Sequence, residues 1–358
     1  MSLHFHPLRV REKRADTDEG VVVSFDVPVE LADTFRFTQG QYLTLRHEVD
    51  GRDVRRSYSI CAGLDDGELR VGVRRVPSGV FSTWIHERLR VGDAIEAIPP
   101  QGRFFVPIDP AARRHYLGVA GGCGITPILS IIKSVLAREP RSRFTLLYGN
   151  RTSRSTMFKE ELQDLKDRYL ARLSLHYVFS REVPESPLHQ GRLTREKIGE
   201  FLQSVVDPRG IAHAFVCGPY AVNDEVEGAL LAAGIARSSI HIERFGIPPG
   251  EVAPQTREPS PGDAEEARVV IIRDGLRREI QFRRGDPSVL DAAIAAGVDL
   301  PYSCKSGVCS TCRARVFEGR VRMDRNFALD RREIDAGFVL TCQSHPLSER
   351  VLLSFDDR

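Results

Sequence analysis

Hydrophobic and polar residues alternate along four short runs near the start of the chain. The runs lie at residues 21–27, 41–49, 53–61 and 68–76. A period of two is typical of strands with one buried face, and the Asp-Gly pairs at 50–51 and 66–67 are strong hairpin signals. One helix is predicted at 80–89, where the apolar residues share a face. Residues 1–108 are therefore predicted to form an antiparallel β-barrel capped by a helix.

After residue 108 the pattern changes to apolar strands that alternate with helices. The strands are predicted at residues 115–120, 144–149, 173–179, 213–218 and 241–245. The first helix begins at Thr126-Pro127, because proline is well placed in a first helical turn. Alternating strands and helices form a parallel sheet covered on both faces. Residues 109–247 are therefore predicted to form an α/β domain.

The last third of the chain begins with a change of composition. Residues 248–266 are rich in proline, glycine and charge and show no apolar period, so they are predicted to be an extended, mobile linker. Residues 267–358 are predicted to form an α+β domain. It contains a hairpin that turns at Asp274-Gly275 and a helix at 289–298 that ends at Gly297.

Composition limits the class of protein. The chain has 358 residues, 41% of them hydrophobic, which is enough for two or three domains with real cores. A net charge of +2 gives no electrostatic footprint for nucleic acid or a membrane surface. No apolar run has the length of a signal peptide or membrane helix, so we expect a cytoplasmic protein.

Three cysteines stand close together in the stretch PYSCKSGVCSTCR. Cys304, Cys309 and Cys312 have the spacing C-x4-C-x2-C, and Cys342 lies downstream. This is the plant-type pattern for a [2Fe-2S] cluster held by four thiolates. A structural zinc site is the alternative, although zinc modules usually present two C-x2-C pairs. Disulfides are less favoured, because adjacent loop cysteines in a chain of intracellular composition indicate metal or redox use.

Two features of the predicted barrel are suited to a phosphorylated ring compound. Arg56-Ser57-Tyr58-Ser59 lies on a strand, so alternation places Arg56 and Tyr58 on one face, where they could clamp a phosphate and stack on a ring. The stretch 78–82, SGVFS, opens the helix, and free N–H groups at a helix N-terminus attract anions. The alternative for the first feature is an ordinary half-buried strand.

A glycine loop follows the first strand of the predicted α/β domain. Backbone amides in such a loop bind the pyrophosphate of a dinucleotide. The loop reads G-x-G-x-x-P from Gly122 through Gly124 to Pro127, which departs from G-x-G-x-x-G. By itself this loop is a weak signal.

The combination of these motifs resembles the ferredoxin-NADP reductase superfamily. In that superfamily the R-x-Y-S arginine meets the flavin phosphate, the tyrosine packs on the isoalloxazine and the serine lies near flavin N5. The resemblance gives these roles to Arg56, Tyr58 and Ser59, and places the pyrophosphate at the amides of Gly79, Val80, Phe81 and Ser82. FAD is favoured over FMN, because the stretch 99–104, PPQGRF, resembles the loop that closes the barrel in FAD-bearing members.

The same resemblance covers the nucleotide half. G-x-G-x-T-P and C-G-P are joint hallmarks of the superfamily, and they occur here at 122–127 and 217–219. The resemblance assigns Thr126, Pro127 and the Cys217-Gly218-Pro219 loop to the nicotinamide nucleotide, with Cys217 near the carbon that gives up hydride. The alternative for Cys217 is a small buried apolar residue. Glu243 and Phe245 match the acid and the aromatic ring that border the flavin.

The end of the second predicted strand is the place where the sequence indicates a preference between NADH and NADPH. NAD-specific sheets place an acidic residue there to hold the ribose 2′-hydroxyl. Residues 148–155 read YGNRTSRS, with two arginines and no carboxylate. We therefore predict NADPH as the donor, bound through Asn150 and Arg151, because an arginine can clamp a 2′-phosphate. The alternative is that these arginines are solvated loop charges.

The three modules together predict a reductase that carries its own ferredoxin. Nicotinamide gives two electrons as hydride and a [2Fe-2S] cluster accepts one, so a flavin must lie between them. Further shared motifs lie at residues 55–61 (RRSYSIC), 148–153 (YGNRTS), 241–245 (HIERF), 301–312 (PYSCKSGVCSTC) and 336–343 (AGFVLTCQ). With them the chain resembles, over its full length, the reductase components of bacterial phenylacetyl-CoA epoxidases, whose last domain is a β-grasp ferredoxin. That resemblance implies a di-iron oxygenase as the electron acceptor. A reductase for a steroid or aromatic hydroxylase, or a nucleotide-binding redox sensor, are the alternatives.

Overall fold

The computed structural model describes residues 3–248 and 260–357. Its contacts divide the chain into two compact units. One unit holds Phe5–Val54 and Tyr58–Phe245, and the other holds residues 3–4, Arg55–Ser57 and the described residues from Gly246 onward. Among the described residues, no helix combines the length and apolar character needed to cross a bilayer.

The first unit begins with a six-stranded antiparallel sheet. Its strands are β1 (His6–Thr17), β2 (Gly20–Asp26), β3 (Tyr42–Val49), β4 (Arg52–Ser59), β5 (Leu69–Arg74) and β6 (Ala94–Gln101), in the order β4-β3-β6-β1-β2-β5. A bridge between Ile60 and Val71 joins the chain after β4 to β5 and closes the barrel. Asp50 and Gly51 both have positive φ, 50° and 76°, as a two-residue hairpin turn requires.

Helix α1 (Val80–Glu87) caps the barrel as predicted, although it ends two residues before the predicted boundary. Its buried side chains include Phe81 and Trp84, which join the barrel core. The alternation seen in the sequence is the physical cause of this core, because each strand turns its apolar residues to the inside.

The second half of this unit is a five-stranded parallel sheet. Its strands are β7 (His115–Gly121), β8 (Arg143–Asn150), β9 (Leu173–Phe179), β10 (Ile211–Gly218) and β11 (Ile240–Arg244), in the order β11-β10-β7-β8-β9. The helices between them are α2 (Ile125–Arg138), α3 (Lys159–Arg168), α4 (Arg195–Ser204) and α5 (Tyr220–Ala232). The strand order reverses between β7 and β10. In open α/β sheets ligands bind at such a reversal, beyond the carboxyl ends of the strands.

A buried ionic cluster joins the barrel to the parallel sheet. Arg70 of β5 is only 7% exposed, and its Nη2 lies 2.5 Å from Glu161 Oε1 of α3. Lys133 of α2 lies 2.6 Å from the same Glu161 oxygen and 2.5 Å from Asp66. Removing one partner of a buried pair leaves an uncompensated charge, so this cluster holds the two halves in a fixed relation.

The second unit contains a mixed five-stranded sheet and a two-stranded ribbon. Its strands are β12 (Glu266–Arg273), β13 (Leu276–Arg283), β14 (Arg313–Glu318), β15 (Val321–Met323), β16 (Phe338–Leu340), β17 (Ser344–Pro346) and β18 (Arg350–Ser354). The sheet order is β13-β12-β18-β14-β16, and β15 pairs with β17. Helix α6 (Val289–Ala295) packs on it, and the predicted turn at Asp274-Gly275 is present with φ of 54° and 73°.

Two features of this unit differ from the sequence prediction. Helix α7 (Arg331–Asp335) was not predicted, and a capping box between Asp330 and Glu333 stabilises its start. Of the predicted linker at 248–266, residues 249–259 lie outside the described residues. Asp263 is already fixed in the unit by Arg322, at 2.5 Å and 2.6 Å.

Candidate functional site

The predicted flavin strand is β4, and its residues differ in exposure. Arg56 is exposed and its Nη1 donates to the Arg55 carbonyl at 2.7 Å. Ser57 and Tyr58 are half-buried and Ser59 is buried. The Tyr58 ring stacks near Phe81 of α1, with ring centroids 6.1 Å apart. The tyrosine therefore packs at the junction of strand and helix and keeps part of its ring accessible.

The turn before α1 is shaped by close contacts. A Cβ added to Gly79 would lie 2.7 Å from Ser82 Oγ and 3.0 Å from the Val76 carbonyl oxygen, so only glycine fits without a shift. The Ser82 hydroxyl accepts from the Val76 N–H at 3.1 Å. This bond holds the turn while the first amides of α1, those of Val80, Phe81 and Ser82, point out of the helix end. The arrangement fits a bound phosphate group.

Ser59 and Glu243 form a direct polar contact between the predicted flavin strand and the last strand of the parallel sheet. The Ser59 hydroxyl donates to Glu243 Oε2 at 3.3 Å. Part of the Glu243 residue reaches the surface, but burial of its carboxyl group raises the pKa from 4.5 to about 8. The hydrogen bond from Ser59 opposes this shift only in part. Glu243 therefore holds a proton at neutral pH.

The glycine loop after β7 packs directly on the end of β10. A Cβ on Gly124 would lie 2.0 Å from the Cys217 carbonyl oxygen, and one on Gly218 would lie 3.1 Å from Gly121 Cα. Gly122 has a φ of 54°, which favours glycine. Cys217 is fully buried, and burial raises the pKa of its thiol well above the ordinary value. It is therefore a neutral thiol at the base of this crevice.

The residues around the loop are held by buried hydrogen bonds. The Thr126 hydroxyl, 2% exposed, donates to the Cys123 carbonyl at 3.0 Å, and Pro127 is buried beside it. Asn223 of α5 was not predicted as part of the site. Its amide nitrogen donates to the Gly218 carbonyl at 3.3 Å and to the Glu243 carbonyl at 3.0 Å. It fixes the Cys217-Gly218-Pro219 loop to β11, whereas exposed Phe245 lies just beyond the end of that strand.

The end of β8 differs from its sequence prediction in one important respect. The sequence there contains no carboxylate, but the turn between β1 and β2 supplies two. Arg151 Nη1 lies 3.8 Å from Glu19 Oε1, and Arg154 Nη2 lies 3.0 Å from Asp18 Oδ2. Sequence reasoning missed these acids because they are more than 130 residues away in the chain. Asn150 is half-buried, and its amide nitrogen has no partner in the described part of the chain.

Arg74, at the end of β5, was also missed. A Cβ on Gly122 would lie 3.0 Å from Arg74 Nη1, so this guanidinium reaches the glycine loop from the barrel. Its Nη2 donates to Glu19 Oε2 at 2.7 Å. The only signal in the sequence was an arginine pair at 74–75, which in a strand is ordinary.

The four predicted cluster cysteines lie in the second unit and form two close pairs. The Cys304 and Cys309 thiols lie within hydrogen-bonding reach of each other, as do those of Cys312 and Cys342. Among residues 3–248 and 260–357, no three His, Cys, Asp or Glu side chains converge on a single metal position. Two thiols for each of two metal ions is the arrangement that a [2Fe-2S] cluster needs.

The loop around these cysteines is folded for close contact with sulfur. Lys305 and Ser310 have positive φ, both 52°, although neither is glycine, and such strain is characteristic of functional loops. The Ser306 N–H donates to the Cys304 sulfur at 3.4 Å. The Gln343 amide donates to the Cys342 sulfur at 3.3 Å. Ser303, 4% exposed, has a hydroxyl oxygen without a partner in the described chain, so a donor is available beside Cys304.

Three family models match successive parts of the chain. An oxidoreductase FAD-binding domain matches residues 7–106, an oxidoreductase NAD-binding domain matches 119–227, and a 2Fe-2S iron-sulfur cluster binding domain matches 271–347. Their order agrees with the order of the sites described above. The predicted cofactors FAD and [2Fe-2S] are thereby confirmed, together with a nicotinamide nucleotide as donor.

Full-length relatives share this order. The chain is 43% identical over 352 residues to one subunit of the 1,2-phenylacetyl-CoA epoxidase of Escherichia coli K12, a match that covers 98% of each chain. It is 34% identical over 355 residues to the ferredoxin reductase component of a 3-ketosteroid-9-alpha-monooxygenase of Rhodococcus rhodochrous, covering 97% of this chain and 95% of that one. The solved structure of phthalate dioxygenase reductase matches with a TM-score of 0.60 at 25% identity, over 98% of each chain.

Replacing Cys342 by alanine should remove the cluster. The wild-type protein is expected to contain about two iron and two acid-labile sulfide per chain, whereas Cys342→Ala should lose the visible absorption of the cluster and most of its iron. Cys61→Ala, at a buried cysteine of the first unit, is the control and should keep both. Full iron content in Cys342→Ala, or one zinc per chain in the wild type, would contradict the assignment.

Gly124→Ala should abolish nucleotide-dependent reduction of the flavin. The new methyl group meets the Cys217 carbonyl at 2.0 Å, so the loop and β10 must separate, at a cost of about 1–3 kcal/mol. We expect FAD to remain bound, because the residues predicted to hold its phosphates lie on the barrel. Gly199→Ala is the matched control, because nothing lies within 4 Å of its Cβ position in α4. Normal reduction by Gly124→Ala would be inconsistent with the packing described.

The buried Glu243 carboxyl predicts a pH-dependent stability. Below pH 4.5 the group is protonated in folded and unfolded chains alike. As pH rises from 4.5 to 8 the unfolded chain ionises it while the folded chain holds the proton, so the folded state loses stability. The difference in Tm between wild type and Glu243→Gln should shift in favour of the variant over this range and level off above pH 8. A difference independent of pH would refute the shift.

Proposed function

We propose that this chain, which belongs to the family of oxygenase reductase components with FAD-binding, NAD-binding and 2Fe-2S domains, passes electrons from NADPH to the di-iron oxygenase of a phenylacetyl-CoA epoxidase. The chain is homologous to a subunit of such an epoxidase. The full-length match at 43% identity is the observation that carries the choice of acceptor. The paired cysteines support a cluster as the electron carrier, and the Ser59–Glu243 contact supports a flavin site where the barrel meets the parallel sheet.

When bound, FAD would take the electron pair of the nicotinamide and deliver single electrons to the cluster. The amides at the start of α1 and the guanidinium of Arg56 would hold its phosphates. Tyr58, stacked near Phe81, would pack against its ring. None of these residues needs to act as a nucleophile, so the protein contributes mainly position.

Ser59 and Glu243 would hold or transfer a proton beside the flavin. Glu243 keeps its proton at neutral pH because burial raises its pKa to about 8, and its Oε2 lies 3.3 Å from the Ser59 hydroxyl. The pair can therefore hold a proton at Ser59 Oγ while both groups are neutral; if Ser59 gives that proton up, Glu243 can replace it, and the charge then rests on the Glu243 carboxylate until it is protonated again. The neutral thiol of Cys217 keeps the floor of the crevice uncharged as well.

The nucleotide would lie at the carboxyl edge of the parallel sheet, where β7 and β10 diverge. Gly122 and Gly124 would admit its pyrophosphate, with Arg74 above the loop. The Thr126 region and the Cys217-Gly218-Pro219 loop would border the nicotinamide. Asn150 and Arg151 would reach the ribose 2′-position, where a phosphate is favoured by the guanidinium.

Arg151→Ala should therefore raise the KM for NADPH by about tenfold, the effect of losing one charge-assisted hydrogen bond of about 1.5 kcal/mol, and leave the KM for NADH nearly unchanged. Arg154→Ala is the control and should leave both KM values nearly unchanged, since Arg154 pairs with Asp18 and lies further along the loop. Steady-state kinetics with an artificial acceptor give both values. Equal losses with the two nucleotides would mean that Arg151 supports the fold, and a wild-type preference for NADH would overturn the proposed donor.

The choice of acceptor is tested by reconstitution. Purified oxygenase of a phenylacetyl-CoA epoxidase should turn over its substrate with NADPH only when this reductase is added. The 34% identity to a 3-ketosteroid monooxygenase reductase makes that monooxygenase the second candidate. If the reductase supports turnover by the steroid oxygenase and not by the epoxidase, the assignment moves to the steroid oxygenase. Electron delivery to neither oxygenase would contradict both assignments.

A further inference from the structure

The turn between β1 and β2 is fixed against the loop after β8. Asp16 Oδ2 accepts a hydrogen bond from the Phe158 N–H at 2.9 Å. The carbonyl of Glu19 accepts from the Arg75 N–H at 2.7 Å. Two anchors on opposite sides therefore set the backbone position of the turn, and the Asp18 and Glu19 side chains project from a defined place.

The Glu19 carboxylate lies between two arginines from different parts of the unit. Its Oε2 accepts from Arg74 Nε at 3.2 Å and Nη2 at 2.7 Å, and its Oε1 lies 3.8 Å from Arg151 Nη1. The hydrogen bonds from Arg74 lower the pKa of Glu19, so the group is ionised throughout the neutral range. Glu19 thus places a negative charge between the two guanidiniums nearest the expected dinucleotide phosphates.

These two arginines serve different parts of a nicotinamide dinucleotide. Arg74 lies beside Gly122 at the pyrophosphate loop, which NADH and NADPH share. Arg151 lies at the end of β8, where only NADPH presents a 2′-phosphate. A carboxylate that pairs with Arg151 competes with that phosphate for the same guanidinium and repels it through space.

We propose that Glu19 is a specificity-determining residue, a resident anion on Arg151 that reduces the affinity of the chain for the 2′-phosphate and so narrows the preference between NADPH and NADH. This inference rests on the proposed nucleotide site. Because the side chains of Glu19 and Arg151 are 48% and 52% exposed, the pair is solvent-screened and its effect is modest.

Glu19→Gln removes the charge and keeps the size of the side chain. We expect its Kd for 2′,5′-ADP, measured by calorimetry on the full-length holoprotein, to fall about three- to fivefold. The Kd for 5′-AMP should fall by a smaller factor, because the charge removed then frees only Arg74 for the phosphate that both ligands share. In kinetics with an artificial acceptor, the KM for NADPH should fall by a similar factor relative to that for NADH. High salt should shrink the gain, because the screening length at about 1 M is roughly 3 Å.

Two comparisons separate this effect from a general change of charge. Glu30→Gln removes an exposed acid on the turn Val29–Leu31 and should change neither Kd. The double variant Glu19→Gln/Arg151→Ala should lose this gain in affinity, because the guanidinium for which Glu19 and the 2′-phosphate compete is gone. If Glu19→Gln has a lowered Tm, Glu19→Ala with the same readouts replaces it.

An unchanged or weaker Kd for 2′,5′-ADP in Glu19→Gln would overturn the proposal, since Glu19 would then hold the arginines in place for the phosphate. Equal gains for 2′,5′-ADP and 5′-AMP would overturn it as well. Failure of the wild-type protein to oxidise either nucleotide would instead contradict the proposed function. The two outcomes are thus distinguishable in one set of measurements.

Discussion

The close approach of two backbone segments in the first unit is the constraint on which the nucleotide half depends. The glycine loop after β7 touches the end of β10 so closely that a single methyl group on Gly124 would lie 2.0 Å from a carbonyl oxygen. This contact places the loop, the Cys217 thiol and the end of β11 at one edge of the sheet. In parallel register Cys217 pairs with Ala120 on one side and with Glu243 on the other. Ser59 of the barrel then completes the crevice.

Exclusion of water gives this crevice its chemical character. The Cys217 thiol and the Glu243 carboxyl are both kept neutral by burial, which raises their pKa values. At the outer side, Arg74, Arg151 and Glu19 carry charges that meet solvent. A neutral interior and a charged rim suit a nucleotide whose ring is buried and whose phosphates remain near the surface. The cysteine loop of the second unit follows a different principle, since strained backbone brings N–H donors towards sulfur.

Much of this arrangement could be predicted from the sequence, because it depends on local patterns. Alternating residues predicted the barrel strands, and Asp-Gly pairs predicted the turn at 50–51, whose positive φ angles the structure confirms. The spacing of Cys304, Cys309 and Cys312 predicted the cluster loop. Glu19, Arg74 and Asn223 could not be predicted as site residues, because their roles arise from contacts between distant segments. Helix α7 was missed although its capping box, Asp330 to Glu333, is visible in the sequence.

The central claim is that one chain takes electrons from a nicotinamide nucleotide and delivers them through its flavin to its own cluster. Rapid mixing of the full-length holoprotein with NADPH under anaerobic conditions tests it most directly, with flavin absorbance and the electron paramagnetic resonance signal of the reduced cluster followed together. We expect the flavin to bleach first and the cluster signal to appear as flavin absorbance partly recovers. A flavin that is reduced while the cluster stays oxidised, or a cluster reduced in protein stripped of flavin, would contradict it.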